Sequence, residues 1–237
     1  EPERVRKLLQ GTASLEFWPT FDNQEVYPFL AEANSVLAEI LNLEAEETVS
    51  ESAEPAGDMV AEELAQQNEN AEIENYKKQN PLFALLQPSQ ARGNACVGYA
   101  AATDTARINQ YLAMPQVAEI LPAEFRGMWS VKPSEAFTTA NIYELVAIKA
   151  SSRDGKAPLD GSAVTDARVS YDSGRQNGEP TVSMTMNAEG ANTWARLTKE
   201  NIGKQVAIVL DGTVYSYPTV QNEISGGQSQ ITGHFDI

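Results

Sequence analysis

The chain has little of several things that function classes require. Among its 237 residues there is one cysteine, Cys96, and one histidine, His234. A single thiol cannot close an internal disulfide, and Cys-rich metal modules are excluded with it. No stretch of about 18 apolar residues occurs, so no membrane-crossing helix is encoded. Basic side chains number 17 against 33 acids, a formal charge of −16. A protein that tracks a nucleic-acid backbone needs the opposite balance, so no nucleic-acid partner is expected. HExxH, CxxC, GxGxxG and GxxxxGK[ST] are all missing. The sequence opens at Glu1 rather than Met, which reads as a mature form or an excised fragment.

The acidity is concentrated. Between Glu44 and Glu74 there are eleven acids (Glu44, Glu46, Glu47, Glu51, Glu54, Asp58, Glu62, Glu63, Glu69, Glu72 and Glu74) and no Lys or Arg. This one segment therefore supplies −11 of the −16, and the rest of the chain is near balance. Rich in Ala, Glu, Gln and Asn, it has too few large apolar residues to offset the entropy of ordering. Residues 44–76 are expected to form a solvated, mobile insertion, with helix formable over 59–67. The D-x-[DN]-x-[DN]-G spacing of a calcium loop is missing.

Around that insertion the patterning is that of a folded α+β protein. A short helix with Val5, Leu8 and Leu9 on one edge precedes a strand at 14–19, with Leu15 and Phe17 on one face and Glu16 and Trp18 on the other. Asp22 and Glu25 are spaced as a capping box. The helix that follows carries Val26, Phe29, Leu30, Ala33, Val36, Leu37, Ile40 and Leu41 on one face, although Pro28 obscures its start. Strands are expected at 82–86, 95–100 and 127–131, with a helix bearing Ile108, Tyr111 and Leu112 that Pro115 interrupts. The order strand, helix, strand, strand, helix, strand suits a ferredoxin-like unit. Polar, aperiodic residues at 132–140, beginning Lys132, Pro133 and Ser134, read as a linker or hinge.

The last hundred residues are dominated by strands, expected at 142–150, 164–171, 181–187, 206–210, 213–217 and 230–235. In the third, Val182, Met184 and Met186 alternate with Thr181, Ser183 and Thr185. Asn187 is placed to cap a helix carrying Trp194 and Thr198, which Gly203 closes. The continuous apolar run 206–210 predicts a strand covered on both faces. Asp211-Gly212 is a strong hairpin signal, because both turn positions need positive φ. Gly174 and Gly178, and later Gly226 and Gly227, mark turns.

Catalytic candidates are weak. His234 sits in the last expected strand with no serine elbow nearby, and Cys96 lies in an apolar strand where a thiol usually just packs. Asp160, Asp166, Asp211 and Glu223 are the acids that a glycosidase-like pair could use, and three of them adjoin turns or strand ends. Tyr215 and Tyr217 alternate on the hairpin and are expected on one face, either packed across strands or offered as a contact surface for another polypeptide. No metal or cofactor is expected. Exposed strand edges could also accept an extended chain.

Longer motifs carry a family resemblance. Residues 187–191 (NAEGA), 198–204 (TKENIGK), 207–212 (AIVLDG) with Val214 and Tyr215, 224–227 (ISGG) and 231–233 (ITG) closely resemble SecD, the membrane subunit of the bacterial protein-export machinery that is often fused to SecF. Residues 159–161 (LDG) with 164–167 (VTDA), and the opening residues 1–17, are similar to the family's lead-in to the same region. The resemblance covers about half of the chain, 1–18 and 141–237.

It implies a fragment of the first large periplasmic domain, non-enzymatic in itself. A base-side α+β unit is expected over 1–131, a linker at 132–140 and a strand-rich head at 141–237. In this family the loop is thought to bind emerging preproteins, and base-head movement coupled to proton flow in the membrane part helps export. The implied partners are unfolded secretory preprotein and, through the full-length protein, SecF and the SecYEG channel. The implied location is the periplasmic side of the bacterial inner membrane. Tyr215 and Tyr217 are the expected preprotein contacts and Lys132, Pro133 and Ser134 the expected hinge. Residues 22–140 read as a lineage-specific elaboration, of the kind a Bacteroides-like SecDF fusion would carry. A free-standing periplasmic binding or scaffold protein of the same fold, and a hydrolase built on acidic residues, are the alternatives.

Overall fold

The computed structural model describes residues 14–48, 71–137, 141–152, 154–171 and 180–232. In chain order its first elements are β1 (Leu15–Pro19), α1 (Asn23–Thr48), α2 (residues 71–79), β2 (Gln87–Pro88), β3 (Cys96–Ala101), α3 (Thr105–Ala113), α4 (Pro115–Ala118), β4 (Phe125–Trp129) and β5 (Ile142–Lys149). The rest are β6 (Leu159–Asp160), a 3-10 turn (Gly161–Ala163), β7 (Val164–Tyr171), β8 (Pro180–Met186), α5 (Ala188–Glu200), β9 (Val206–Leu210), β10 (Thr213–Ser216) and β11 (Gln228–Thr232). These make three antiparallel sheets, ordered β10-β9-β1-β6, β2-β3-β5-β4 and β11-β8-β7. The class is α+β.

Three strands that are apolar on both faces fix how the layers stack, because successive side chains of a strand point to opposite sides. On β1, Leu15 and Phe17 enter one core and Trp18 enters another. On β9, Val206 and Ile208 join Phe17, whereas Ala207 and Val209 join Trp18. On β5, Val146 and Ile148 meet that same Trp18 core, whereas Leu145 and Ala147 face Val26, Leu30, Ala33 and Leu37 of α1. The result is four layers: α1 with α3 and α4, the β5 sheet, the β1 sheet, and α5. Trp194 and Leu197 of α5 close the outer core, and Trp194 meets Phe17 edge-on at 5.2 Å.

The two central sheets are also stitched by polar contacts. The Phe21 N–H donates to the Ala147 carbonyl (2.9 Å), carrying the chain from one sheet to the other. Thr20 Oγ1 donates to the Gln205 carbonyl (2.7 Å), and Gln205 Oε1 accepts from the Ala95 N–H (2.6 Å). Near the opposite end of the sandwich the Val131 N–H donates to the Val214 carbonyl (2.8 Å).

Several local expectations are met. Asp22 Oδ1 accepts from the Gln24 N–H, and Glu25 Oε2 accepts from the Asp22 N–H, which is the reciprocal capping box. The helix starts at Asn23 and accommodates Pro28 in its second turn. Asp211 (φ 49°) and Gly212 (φ 77°) take the positive-φ turn between β9 and β10. Phe29, expected on the buried face of α1, is exposed instead. The helix at 5–9, residues 59–67, Gly174 and Gly178 lie outside the described residues.

Three expectations change. Residues 82–86 are a helical turn, not a strand: the Leu86 N–H donates to the Leu82 carbonyl, and Asn34 Oδ1 of α1 accepts from the Leu82 and Phe83 N–H groups. A short apolar run between prolines carries no period that separates the two states. The strands expected of a ferredoxin-like unit do not share one sheet, because β1 pairs with β9 and β6, and β5 takes a central place between β3 and β4. Residues 132–140, expected to link two units, instead join β4 to its own neighbour β5. Lys132, Pro133 and Ser134 thus lie in the connection of a hairpin.

Removing the ring of Phe17 would empty a fully buried site between β1 and α5, so Phe17→Ala should cost about 3–5 kcal/mol in urea denaturation. Tyr215→Ala, at an exposed position, should stay within about 0.5 kcal/mol. Equal losses would contradict the layer assignment.

Candidate functional site

The family-like motifs converge where α5 meets the three-stranded sheet. In β8 the Met184 and Met186 side chains are buried, as the alternation requires, and they share a core with Trp194 and Leu197. Asn187 Oδ1 accepts from the Gly190 N–H (2.8 Å) and starts α5. Gly190 is packed so closely that a Cβ there would stand 2.6 Å from the Ala163 Cβ of the 3-10 turn. Gly227 has φ +65°, its carbonyl accepts from the Met186 N–H (2.7 Å), and a Cβ would meet Ala191 at 2.8 Å. The glycines in these motifs therefore let the start of α5 seat between two turns. The sheet it seats on has β11 and β7 as outer strands, each with β8 as its one partner among the described residues. Gln228 and Gln230 of β11 are exposed and uncharged, whereas β7 carries an exposed Asp166–Arg168 ion pair at 2.9 Å.

The expected pair Tyr215 and Tyr217 is split. The ladder between β10 and β9 shifts register between Val214 and Ser216, and the extra residue reverses the alternation beyond it. Tyr215 is exposed (42%), while Tyr217 packs with Val214 against the core between the central sheets. The Tyr217 hydroxyl donates to Glu144 Oε2 of β5, and Ser134 Oγ donates to Glu144 Oε1 (2.6 Å). Ser130 closes the network, its Oγ accepting from the Glu144 N–H (3.0 Å). Ser134, an expected hinge residue, is buried, and its N–H donates to the Ile142 carbonyl (2.7 Å). Glu144 was not among the sequence candidates. Its signal was there to read, a lone acid inside the apolar strand IYELVAIK.

The other candidates are dispersed. Asp160 accepts from the Ser162 N–H at the head of the 3-10 turn, and Asp211 Oδ1 accepts from the Ser14 N–H (2.9 Å), with β1 between the two acids. Asp166 pairs with Arg168, and Glu223 with Lys199 at 3.8 Å. His234 lies outside the described residues. Cys96 is buried in β3, and its thiol is pushed up to about 12, by burial first and then by the charge of Glu144. Burial, the bond to Glu144 and that carboxylate's charge likewise hold the Tyr217 phenol well above its ordinary range. Burial raises Tyr99 too. Among the described residues, no three His, Cys, Asp or Glu side chains are grouped to hold a metal ion, and no helix is long and apolar enough to cross a membrane.

Two measurements follow from this geometry. Gly190→Ala should destabilise by about 1–3 kcal/mol through overpacking against Ala163, whereas Gly226→Ala, where a Cβ meets open space, should cost far less. The raised acids Cys96, Tyr99 and Tyr217 keep their protons longer in the folded chain than in the unfolded one. Their contribution to stability is full below about pH 9 and falls as pH rises above about 9–10. Tyr217→Phe should flatten that alkaline decline in urea titrations; an unchanged slope would contradict the Tyr217 assignment.

Comparison with known proteins bears on the same region. A family model described as SecDF, P1 head subdomain, matches residues 137–237. The protein translocase subunit SecD of Rhodothermus marinus is 37% identical over 235 residues, which is 98% of this chain and 35% of that protein. SecD of Leptotrichia buccalis is 51% identical over 83 residues, 35% of this chain and 20% of that one. SecDF of Thermus thermophilus is 46% identical over 79 residues, 33% of this chain and 10% of that one. A crystal structure of SecDF gives a TM-score of 0.31 at 23% identity, over 95% of this chain and 27% of that one. That is too low to carry any detail of the layers across. The match to the R. marinus protein leaves out so little of this chain that the stretch 22–140 is not confined to it. The chain spans about a third of the length of that relative. On these matches, the chain is similar to part of the SecD and SecDF protein translocase subunits.

Proposed function

We propose that this chain is the periplasmic part of a SecD or SecDF subunit that receives secretory preproteins in extended form along the edge of its three-stranded sheet. The observation that supports this reading is the outer edge of β11, inside the stretch that resembles the P1 head subdomain. An extended chain added to a sheet edge is held by main-chain hydrogen bonds, which are blind to sequence. A translocation subunit must accept many sequences, and weak backbone pairing allows release as well as capture. β11 suits this better than β7, because charged side chains on an edge strand discourage pairing.

The subunit acts here without chemistry of its own, together with SecF and the SecYEG channel. Its movement is driven by proton flow through the membrane part of the full-length protein. Because the two central sheets share one core, the four-layer body moves as a piece rather than flexing at Lys132, Pro133 and Ser134. In this reading Tyr215, exposed beside the β9–β10 turn, remains an accessory contact, and Tyr217 is structural.

A photoreactive amino acid at Gln228 or Gln230 of the full-length protein should crosslink to a stalled secretory precursor. The same probe at Glu119, exposed after α4, should give at most about a tenth of the yield. Equal yields at both places, or label at Glu119 alone, would overturn the β11 assignment.

A further inference from the structure

Among the described helices α2 alone buries no residue: all nine, 71–79, are exposed. The others each place side chains in a core. α2 is held from its far end, where the Asn80 N–H donates to the Tyr76 carbonyl (2.8 Å) and Asn80 Oδ1 accepts from Asn34 Nδ2 of α1 (3.2 Å). Ile73 and Tyr76, about one turn apart, are exposed at 52% and 53%. With Glu72, Lys77 and, from the helical turn that follows, Ala84, they line an open groove of about 380 Å³. Glu72, Ile73, Tyr76 and Lys77 thus share one face, as residues three and four apart on a helix do. Neither Glu72 nor Lys77 has an ion-pair partner among the described residues. Helices shorter than about 12 residues are marginal without a packed face, so the bare Ile73 and Tyr76 mark a contact surface.

The order of side chains along that face says what covers it. Glu72 and Glu74 stand in the first half of the helix, Lys77 and Lys78 in the second. Turned end for end, the face is its own complement. About a two-fold axis between Glu74 and Asn75, Glu72 meets Lys77 of the second copy and Ile73 meets that copy's Tyr76. Each contact then occurs twice, which is the condition for an isologous interface. Two copies laid in the same direction would instead set acid against acid and base against base. We infer that α2 docks antiparallel on α2 of a second copy of this chain, with Ile73 and Tyr76 packed across the axis and two Glu72–Lys77 pairs flanking them. The groove beside Ala84 gives the incoming Tyr76 ring a place to enter. Acids at the start and bases at the end of a helix also suit its own dipole, and that order alone would need no partner; the uncovered apolar pair between them does. Two nine-residue helices bury less than the roughly 1,200 Å² of a stable complex, so the dimer is weak. Nothing in this contact depends on what β11 binds.

Sedimentation equilibrium of the chain as it stands, at low salt and up to about 1 mM, should show a mass that rises with concentration toward that of two chains. Glu72→Lys sets lysine against lysine at both flanks, and Lys77→Glu sets glutamate against glutamate. Each variant alone should therefore dimerise about ten-fold less tightly than the unsubstituted chain, or worse. An equimolar mixture of the two restores opposite charges at both flanks and should regain the original dimer. A change in the stability of α2 itself cannot produce that recovery, because each copy still carries its own substitution. Tyr76→Ser should weaken the dimer about ten-fold with the melting temperature retained. A chain that stays monomeric throughout, a mixture no stronger than either variant, or single charge variants that dimerise like the unsubstituted chain would each overturn the inference. Should a charge variant fail to fold, Tyr76→Ser decides, and full dimerisation of that variant would overturn the inference.

Discussion

The structure depends on β1 burying side chains on both of its faces. Leu15 and Phe17 serve the core under α5, and Trp18 serves the core between the sheets. Pairing with β9 on one side and β6 on the other satisfies the backbone of this strand. The β1 sheet is consequently built from residues far apart in the chain. β1 lies among strands from 159 onward, and β5 lies among strands from the first 130 residues. Whatever surface the molecule offers to a partner is held in place by that interleaving.

Local chemistry was well expressed in the sequence. The Asp22/Glu25 capping box, the Asn187 cap, the Asp211-Gly212 turn and the alternation of β8 each depend on a few neighbouring residues, and each is present. The run 206–210 announced a strand covered on both sides, and β9 is one. Pairing partners were not legible. A strand's faces follow from its own residues, but which strand lies alongside depends on the rest of the chain. Hence β1 and β5 were each assigned to the wrong side of residues 132–140. Parity also failed where one residue was inserted: the bulge after Val214 separates Tyr215 from Tyr217, and nothing in TVYSYP distinguishes a regular strand from a bulged one.

The motifs that resemble SecD are structural in kind. Asn187, Gly190, Gly212 and Gly227 cap, turn or allow close approach, and Asp160 and Asp211 bind nearby N–H groups. Together they form part of the frame that holds α5 and the turns around it in position. Glu144 belongs to that frame. Receiving hydrogen bonds from Tyr217 and Ser134, it ties the far end of β10 to β5, and its charge is among the causes that raise Cys96 and Tyr217.

The hairpin between β4 and β5 bears on where this protein can be divided. The region resembling the head subdomain begins at residue 137, inside that hairpin. A piece cut there would keep β5 with neither of its flanking strands, and the β10-β9-β1-β6 sheet would be missing its middle. Bare, apolar strand edges of that sort invite pairing between molecules. The stretch recognised by sequence likeness is therefore smaller than the body that these sheets hold together.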